Sequence, residues 1–281
     1  MSAPSPARGL GFWLQLALTL AVCVFLVAPV AVSVLAGLTR NAFVGIASGL
    51  TLHWVGAVLA TYAPAILLSI EIAALCLAVT LLVGVPAAYG LARLPGRPAR
   101  LIEEALVLPV AVPGLATALA MVIAYNGWGA FRGSLWFILA GHVLFTLPFM
   151  LRPVLAVMAS ADLRRLEEGA ASLGAGFLRR FLDVVLPNCR PGILAGALAV
   201  VTLSMGEFNL TWLLHTPLTK TLPVGLADAY ASLRLEVGSA YTLVFFVLIV
   251  PSLVGLQLAA RGWRPRPASH LPPSPLPGES P

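Results

Sequence analysis

Long apolar segments separated by shorter polar ones dominate the chain. The first, residues 10–38, contains no charged residue, and about 20 apolar residues are enough to cross a bilayer. Because the core of a signal peptide is only about 7–15 residues long, this segment is predicted to be a first transmembrane helix. Loops are predicted at residues 39–63, 125–133 and 215–238. Further spans are predicted at residues 64–92, 104–124, 134–158, 191–214 and 239–260.

The segment at residues 163–187 has a different pattern, because it is charged and helix-like. Its apolar residues recur at steps of three and four, as on one face of an α-helix: Leu163, Leu166, Ala170, Leu173 and Phe177. The other faces of the predicted helix carry Arg164, Arg165, Glu167, Glu168, Arg179 and Arg180. Gly174 is expected to allow close approach of another segment, and Pro187 to end the pattern because it has no N–H. By pattern alone, an ordinary solvated loop between two spans is the simpler interpretation.

The same segment resembles the EAA loop of the permeases of ATP-binding-cassette (ABC) importers. That family's pattern is Glu-Ala-Ala, three residues, Gly, nine residues and Ile-x-Leu-Pro, and its counterparts here are Glu168, Gly169, Ala170, Gly174, Val184, Leu186 and Pro187. Gly169 replaces an Ala, which loosens the helix by up to about 1 kcal/mol, and Val184 replaces an Ile. The resemblance implies a cytoplasmic coupling helix between spans four and five that docks into a groove on an ATPase subunit. The residues implied in this coupling are Leu166, Glu167, Glu168, Ala170, Leu173, Gly174, Phe177 and Pro187.

Two more motifs carry the same resemblance. Residues 84–93, GVPAAYGLAR, resemble the GxPxAYxLAR signature near the start of the permease domain, and residues 108–114, LPVAVPG, resemble its LPxxxP segment. The two prolines of the second motif predict local unwinding of the third span, which a membrane tolerates only where protein or a cavity satisfies the freed carbonyls. The resemblance covers residues 64–260 and implies a type-1 transmembrane domain there.

Composition and charge agree with an all-α integral membrane protein of six transmembrane helices. The chain is 59% hydrophobic and 10% charged, whereas a soluble domain carries about 25% charged residues. The basic residues are scattered at the ends of apolar segments and are not gathered on one soluble face, so no nucleic-acid partner is expected. The two tails and the loops at 93–103 and 160–190 hold 12 arginines, against three arginines and one lysine in the other loops. By the positive-inside rule, both termini and the coupling loop are predicted to be cytoplasmic.

The chain lacks the usual motifs for chemistry. Its single lysine, Lys220, follows Thr219, so no GxxxxGK[ST] loop for ATP phosphates can be built. The three cysteines lie far apart, and neither they nor the histidines have metal-ligand spacing. The protein is therefore not expected to be an enzyme or to hold a cofactor or metal. A proline-rich tail at residues 261–281 is predicted to be disordered, and residues 1–9 to be a short cytoplasmic tail.

A few polar residues at predicted membrane depth are candidates for a solute pathway, because a charge there costs several kcal/mol unless it is paired or hydrated. Glu207, next to Gly206 and close to Asn209, is predicted to face the pathway or a subunit interface, with a structural hydrogen bond to a neighbouring helix as the alternative. Arg152 either snorkels to the surface or lines the pathway. His142 is either a hydrogen-bonded packing residue or a pathway residue. Gly192 and Gly196 form a GxxxG pattern that predicts close helix packing.

The resemblance implies the transmembrane subunit of a binding-protein-dependent ABC importer in a bacterial inner membrane. Its implied partners are ATP-binding-cassette ATPase subunits, a periplasmic solute-binding protein, a second permease chain (identical or homologous) and the lipid bilayer. Residues 206–230 resemble the spermidine/putrescine, iron(III) and 2-aminoethylphosphonate permease group, most of all the last type. The solute implied is 2-aminoethylphosphonate, with a polyamine or iron(III) as alternatives.

Two interpretations from other classes stay open at this point. A secondary transporter usually has inverted repeats, which the sequence does not display. A membrane enzyme or assembly factor would use the charged loop for an unrelated partner, and an enzyme would place catalytic groups at membrane depth. Copurification with an ATPase separates these possibilities from an ABC permease.

Overall fold

The computed structural model describes residues 9–94, 96–160 and 163–261, so the predicted tails lie almost entirely outside the described part of the chain. Within that part the regular elements are helical, apart from an isolated bridge between Thr39 and Leu50. The α-helices are α1 (Leu10–Gly37), α2 (His53–Thr61), α3 (Ala63–Leu91), α4 (Arg97–Ala111), α5 (Gly114–Ala124), α6 (Gly129–Arg132), α7 (Leu135–Ser160), α8 (Leu163–Ser172), α9 (Phe177–Arg180), α10 (Leu186–Asn188), α11 (Arg190–Gly206), α12 (Asn209–Leu214), α13 (Leu222–Ala231) and α14 (Leu235–Arg261). A 3₁₀ turn spans Gly45–Ser48 and a π-helical segment spans Phe181–Val185.

Four helices are long and apolar enough to cross a bilayer, namely α1, α3, α7 and α14. They match the first, second, fourth and sixth predicted spans to within a few residues. Two bent pairs also meet the criteria: α4 with α5, which meet at 100°, and the stretch Phe177–Asn188 with α11, which meet at 71°. The described residues thus contain four single-helix spans, or up to six spans if each bent pair counts as one.

The predicted unwinding of the third span is confirmed at one of its two prolines. Helix α4 ends at Ala111, Val112 is extended, and α5 begins directly after Pro113. A proline pushes the residue before it out of the helical region, which accounts for the conformation of Val112. The expectation is wrong for Pro109, which stays inside α4.

Other sequence boundaries need correction. The fifth span was predicted to run unbroken through residues 191–214, but the helix is interrupted at residues 207–208, between α11 and α12. The predicted loops at 39–63, 125–133 and 215–238 contain the short helices α2, α6 and α13. Such short helices are held by packing and capping, which an apolar-run analysis does not detect.

The chain divides into two compact units. One comprises the described residues of Met1–Glu71 and His215–Ile249, and the other those of Ile72–Leu214 and Val250–Pro281. The core of the first unit contains Val58, Ile66, Leu222, Ala229, Val237, Ala240, Tyr241 and Val244. The core of the second unit draws on α3, α7, α11 and the charged segment, and includes Cys76, Ala88, Met150, Val154, Leu163, Val185 and Val200.

Helix α1 makes its contacts in the first unit mainly through its last turns. Almost every side chain from Leu10 to Val32 is exposed. Further along, the hydroxyls of Ser33 and Tyr230 lie 3.2 Å apart. A Cβ atom on Gly37 would lie 2.6 Å from the backbone nitrogen of Ala240. Helix α1 is therefore attached at its C-terminal end, while its first part makes almost no contact with the rest of the described chain.

In the second unit, the GxxxG pattern of α11 packs against α7, as the sequence predicted. A Cβ atom on Gly192 would lie 2.6 Å from the carbonyl oxygen of Pro153, and one on Gly196 would lie 2.8 Å from the sulfur of Met150. Only glycine fits at these distances. Small residues at this spacing let two helix backbones approach each other closely in a membrane.

Candidate functional site

The charged segment begins with α8 and turns at Gly174. This glycine has φ +85°, and its N–H donates to the carbonyl of Ala171 at 2.9 Å while the N–H of Ala175 donates to that of Ala170 at 3.0 Å. These are the two hydrogen bonds of a Schellman motif, which needs a left-handed residue and favours glycine. No described atom lies within 4 Å of a Cβ built on Gly174. Gly174 therefore ends α8 through its backbone conformation, and the close approach expected there does not occur within the described chain.

Glu167 was predicted on a solvent-facing side of α8, and this is wrong, because the residue is only 6% exposed. The hydroxyl of Tyr89 donates to its Oε1 at 2.7 Å, and Arg93 forms an ion pair with its other carboxylate oxygen. Arg93 also lies over the ring of Tyr89, 3.2 Å from its centroid, and donates to the Tyr89 carbonyl at 3.1 Å. We refer to Tyr89, Arg93 and Glu167 as the clasp. A buried carboxylate requires such partners, and here they attach α8 to the end of α3.

The predicted apolar face of the segment is divided between the core and the surface. Leu163 is buried, and Ala170 is half-buried. In contrast, Leu166, Leu173 and Phe177 are 51%, 89% and 62% exposed. We refer to these three side chains as the apolar row. Exposed apolar groups with a charged rim are typical of protein–protein contact surfaces.

The rim of the apolar row is formed by charged side chains on α8, α9 and the π-helical segment. Arg164 pairs with Glu168 at 3.0 Å, and Arg179 pairs with Asp183 at 3.6 Å, each pair one helical turn apart. These side chains are largely exposed, so the pairs contribute little to stability. A cavity of about 560 Å³ lies beside Arg164 and Glu168, and the clasp, Leu163, Phe177 and Arg180 form part of its wall.

Pro187 does not end the helical pattern, contrary to the prediction. It lies in the first turn of α10, within a helical stretch that runs from Phe177 through the π-helical segment to Asn188. A proline inside a helical stretch removes one backbone hydrogen bond, and here the regular α-helical ladder is already interrupted by the π-helical segment directly before it. Gly169, which departs from the family pattern, has no described atom within 4 Å of a built Cβ, so an alanine would fit.

Glu207 lies in the break between α11 and α12 and is 8% exposed. Its Oε1 accepts the backbone N–H of Leu210 at 2.7 Å. A carboxylate at this position caps the first turn of α12 and satisfies an N–H that the helix leaves unpaired. The hydrogen bond is thus made to the next helix in the chain. Asn209, two residues on, is exposed.

His142 is buried in α7, and both of its ring nitrogens have hydrogen-bond partners. Its Nδ1 lies 2.9 Å from Ser204 Oγ on α11, and its Nε2 lies 2.9 Å from Thr211 Oγ1 on α12. Thr211 in turn donates to the carbonyl of Glu207 at 3.2 Å. The structure therefore brings His142 and Glu207 into one polar network, whereas Arg152 is exposed on α7.

Several of these groups were missed by sequence reasoning. Ser204 and Thr211 are isolated hydroxyls in apolar runs, which give no signal of their own. Tyr89 was noted only as part of a family signature, and Arg93 only there and among the arginines counted for the topology. Within residues 9–94, 96–160 and 163–261, no group of three or more His, Cys, Asp or Glu residues could hold a metal ion.

Comparison with known proteins gives consistent matches. The family described as "Binding-protein-dependent transport system inner membrane component" matches residues 80–265. The "Putative 2-aminoethylphosphonate transport system permease protein PhnV" of Salmonella typhimurium is 29% identical over 242 residues, which cover 85% of this chain and 90% of that protein. The putrescine transport system permease protein PotI of Escherichia coli is 31% identical, with 86% and 89% covered. The sulfate transport system permease protein CysW of Synechocystis sp. is 31% identical, with 68% and 74% covered.

Proposed function

The chain belongs to the family of inner-membrane components of binding-protein-dependent transport systems, and from this membership we propose that it is the permease subunit that carries 2-aminoethylphosphonate across the membrane. Family membership makes it a multi-pass membrane protein of an ABC importer. It is a transport component that works with ATPase and binding-protein partners. The solute, the topology and the coupling residues are the parts that we propose.

For the topology, we propose six spans with both termini and residues 163–187 in the cytoplasm. The bent pair of α4 and α5 supports the third span, and α11 with the α12 that follows it supports the fifth. The excess of arginine in the tails and in the 93–103 and 160–190 loops supports the orientation. In this arrangement residues 10–38 form a separate first helix, and residues 64–260 form the permease domain. A second permease chain, identical or homologous, completes the translocation path.

The ATPase is proposed to dock on α8 and the turn that follows it. The observation that carries this proposal is the exposed apolar row on α8 and the turn after it, while Glu167 of the same helix is buried and attached to α3 by the clasp. Leu166, Leu173 and Phe177 would be buried by the ATPase. Glu168 and Ala170 adjoin these side chains, Gly174 sets the turn, and Pro187 lies in the helical stretch that leads to α11.

The mechanism proposed is alternating access. ATP binding brings two ATPase subunits together and moves the docked α8. Because Glu167 is bonded to Tyr89 and Arg93, this displacement passes to α3 and so to the spans. The path then opens toward the binding protein that delivers the solute. Glu207, Asn209, His142 and Arg152 are the proposed path or interface residues, and Glu207 and His142 already share one hydrogen-bonded network.

The proposed solute rests on two observations. The relative named for 2-aminoethylphosphonate aligns over 85% of this chain, and residues 206–230 resemble that type most. The relative named for putrescine is 31% identical, which makes a polyamine the second candidate; iron(III) follows only from the group resemblance.

The test is reconstitution of the chain with its cognate ATPase and binding protein in proteoliposomes. ATP-dependent uptake of 2-aminoethylphosphonate is expected, with putrescine and iron(III) unable to compete. ATP-dependent uptake of putrescine alone would refute 2-aminoethylphosphonate as the solute and retain the assignment as an ABC permease. Failure of the chain to copurify with any ATPase, together with ion-gradient-driven uptake or no uptake, would favour a secondary transporter or a membrane enzyme or assembly factor.

A further inference from the structure

The first unit contains a small polar cleft that plays no part in the coupling surface or in the Glu207 network. Its volume is about 230 Å³, and its lining residues are Tyr62, Lys220, Gly225, Asp228, Ala229, Ser232 and Arg234. All of them belong to α13 and the chain on either side of it, except for Tyr62, which follows α2.

The cleft combines two cations with one carboxylate. Lys220, the only lysine in the chain, forms an ion pair with Asp228, and both side chains are roughly one-third exposed. Arg234 donates from Nη1 to the hydroxyl of Tyr62 at 3.0 Å. A guanidinium has five N–H donors, so this contact leaves capacity for a bound oxyanion.

A strained residue sets the position of Arg234. Leu233 has φ 55° and is the only non-glycine residue with positive φ in the described part of the chain. Its N–H donates to the carbonyl of Tyr230, and the N–H of Arg234 donates to that of Ala229, so a leucine occupies the helix-ending position that usually holds glycine. This conformation is unfavourable for a residue with a Cβ. Such strain concentrates at ligand-binding sites, and here it orients the chain between Ser232 and Arg234, which both line the cleft.

A buried hydroxyl lies behind the wall of the cleft. Tyr241 is fully buried, and its hydroxyl has no hydrogen-bond partner among the described residues. A Cβ atom on Gly225 would lie 2.8 Å from this hydroxyl, and the rings of Tyr241 and Tyr62 are 4.9 Å apart. An unpaired buried hydroxyl is costly. Gly225 itself lines the cleft, so this unpaired hydroxyl lies directly behind the cleft wall.

We infer that this cleft binds a small zwitterion, with its oxyanion held by Lys220 and Arg234 and its ammonium group held by Asp228. A diamine such as putrescine would bring positive charge against both cations, and a dianion such as sulfate would meet the carboxylate. A zwitterion places its negative group against Lys220 and Arg234 and its positive group against Asp228. At about 30 Å³ for each small group such as a water molecule, a volume of about 230 Å³ holds about eight of them. This is close to the number of non-hydrogen atoms in 2-aminoethylphosphonate. The ligand's identity rests on the proposed function, whereas the site itself rests on the geometry.

The experiment uses the full permease–ATPase complex in nanodiscs, without binding protein, and titration calorimetry with 2-aminoethylphosphonate and ethylphosphonate, which lacks the amine. The wild type is expected to prefer the amino compound by at least about tenfold, the effect of one charged hydrogen bond. Asp228→Asn is expected to remove this preference, and Arg234→Gln to weaken both ligands about tenfold. Arg40→Gln, an exposed arginine of the same unit, serves as the matched control and should bind like the wild type.

Two results overturn the site: no saturable binding by the wild type, or equal binding by the wild type and both variants. If a single variant fails to assemble, Lys220→Asp combined with Asp228→Lys keeps the ion pair and exchanges its charges. That double variant should assemble and lose the preference, and an unchanged preference again overturns the site. Uptake separates this result from the proposed function. Wild-type uptake of 2-aminoethylphosphonate with unaffected variants refutes the site alone, whereas cleft binding without wild-type uptake refutes the function alone.

Discussion

Glu207 illustrates how a single charged residue is accommodated in an apolar segment. The sequence placed it inside a span, where only a pathway, an interface or a neighbouring helix seemed able to stabilise it. Instead the helix breaks, and the carboxylate caps the N–H of Leu210 on the following short helix. The break could not be predicted because no proline occurs at residues 206–209.

Two substitutions of Glu207 separate the effect of its charge from the effect of its hydrogen bond to the Leu210 N–H. Glu207→Gln keeps an oxygen acceptor for the Leu210 N–H and removes the charge, so assembly should persist while solute uptake falls. Glu207→Ala removes the cap as well and should cost about 1 kcal/mol more in stability. Uptake in proteoliposomes and thermal unfolding in detergent measure the two effects. Undiminished uptake by Glu207→Gln would leave the residue with a capping role only.

Two glycines of the charged segment form a matched pair for a second prediction. Neither Gly169 nor Gly174 has a described atom within 4 Å of a built Cβ, but only Gly174 has positive φ. Gly174→Ala should therefore destabilise the turn by roughly 1–2 kcal/mol and reduce copurified ATPase. Gly169→Ala should raise helix stability by up to about 1 kcal/mol and retain the ATPase. Equal ATPase recovery from both variants would contradict the role given to the turn.

At the scale of elements, α8 is held by contacts that no local pattern reveals. Glu167 is separated from Arg93 by 74 residues and from Tyr89 by 78, so helix periodicity assigned it to the wrong side. The Schellman turn at Gly174 can be predicted from the local sequence, because a glycine that follows an amphipathic helix often ends it. The long apolar spans were predicted best, since their length and composition depend on the bilayer and not on particular neighbours.

The clasp predicts that a change at Glu167 uncouples ATP hydrolysis from solute transport. Glu167→Gln keeps an acceptor for Tyr89 but loses the ion pair with Arg93, so α8 should move with less effect on α3. The expected result is ATP hydrolysis near the wild-type rate with at least a several-fold rise in ATP used per solute transported. Arg100→Gln changes an exposed arginine of α4 that belongs neither to the clasp nor to the rim of the apolar row, and it serves as the control.

The design includes a rescue. Exchanging the charges in Arg93→Glu combined with Glu167→Arg should restore part of the coupling that either single change removes. Proportional losses of hydrolysis and transport in Glu167→Gln would mean that the clasp supports folding alone.

For the whole molecule, the arginine distribution predicts the topology. Reporter fusions after Leu59 and after Asp228 should register as periplasmic, and a fusion after Ser172 as cytoplasmic. A periplasmic signal at Ser172 would invert the arrangement and place the charged segment out of reach of an ATPase. Alkaline phosphatase and green fluorescent protein fusions, read in parallel, give opposite signals at each site and so control for expression.

The sparse attachment of α1 has a consequence for engineering. Its first part, Leu10 to Val32, is almost wholly exposed, and specific packing is confined to the turns around Ser33 and Gly37. The sequence of that outer part is therefore constrained only by its hydrophobicity and its length. Reordering its apolar residues should leave the rest of the fold intact. Adding or removing a helical turn there, about 5.4 Å, offers a way to tune the protein to membranes of different thickness without redesigning a packed interface.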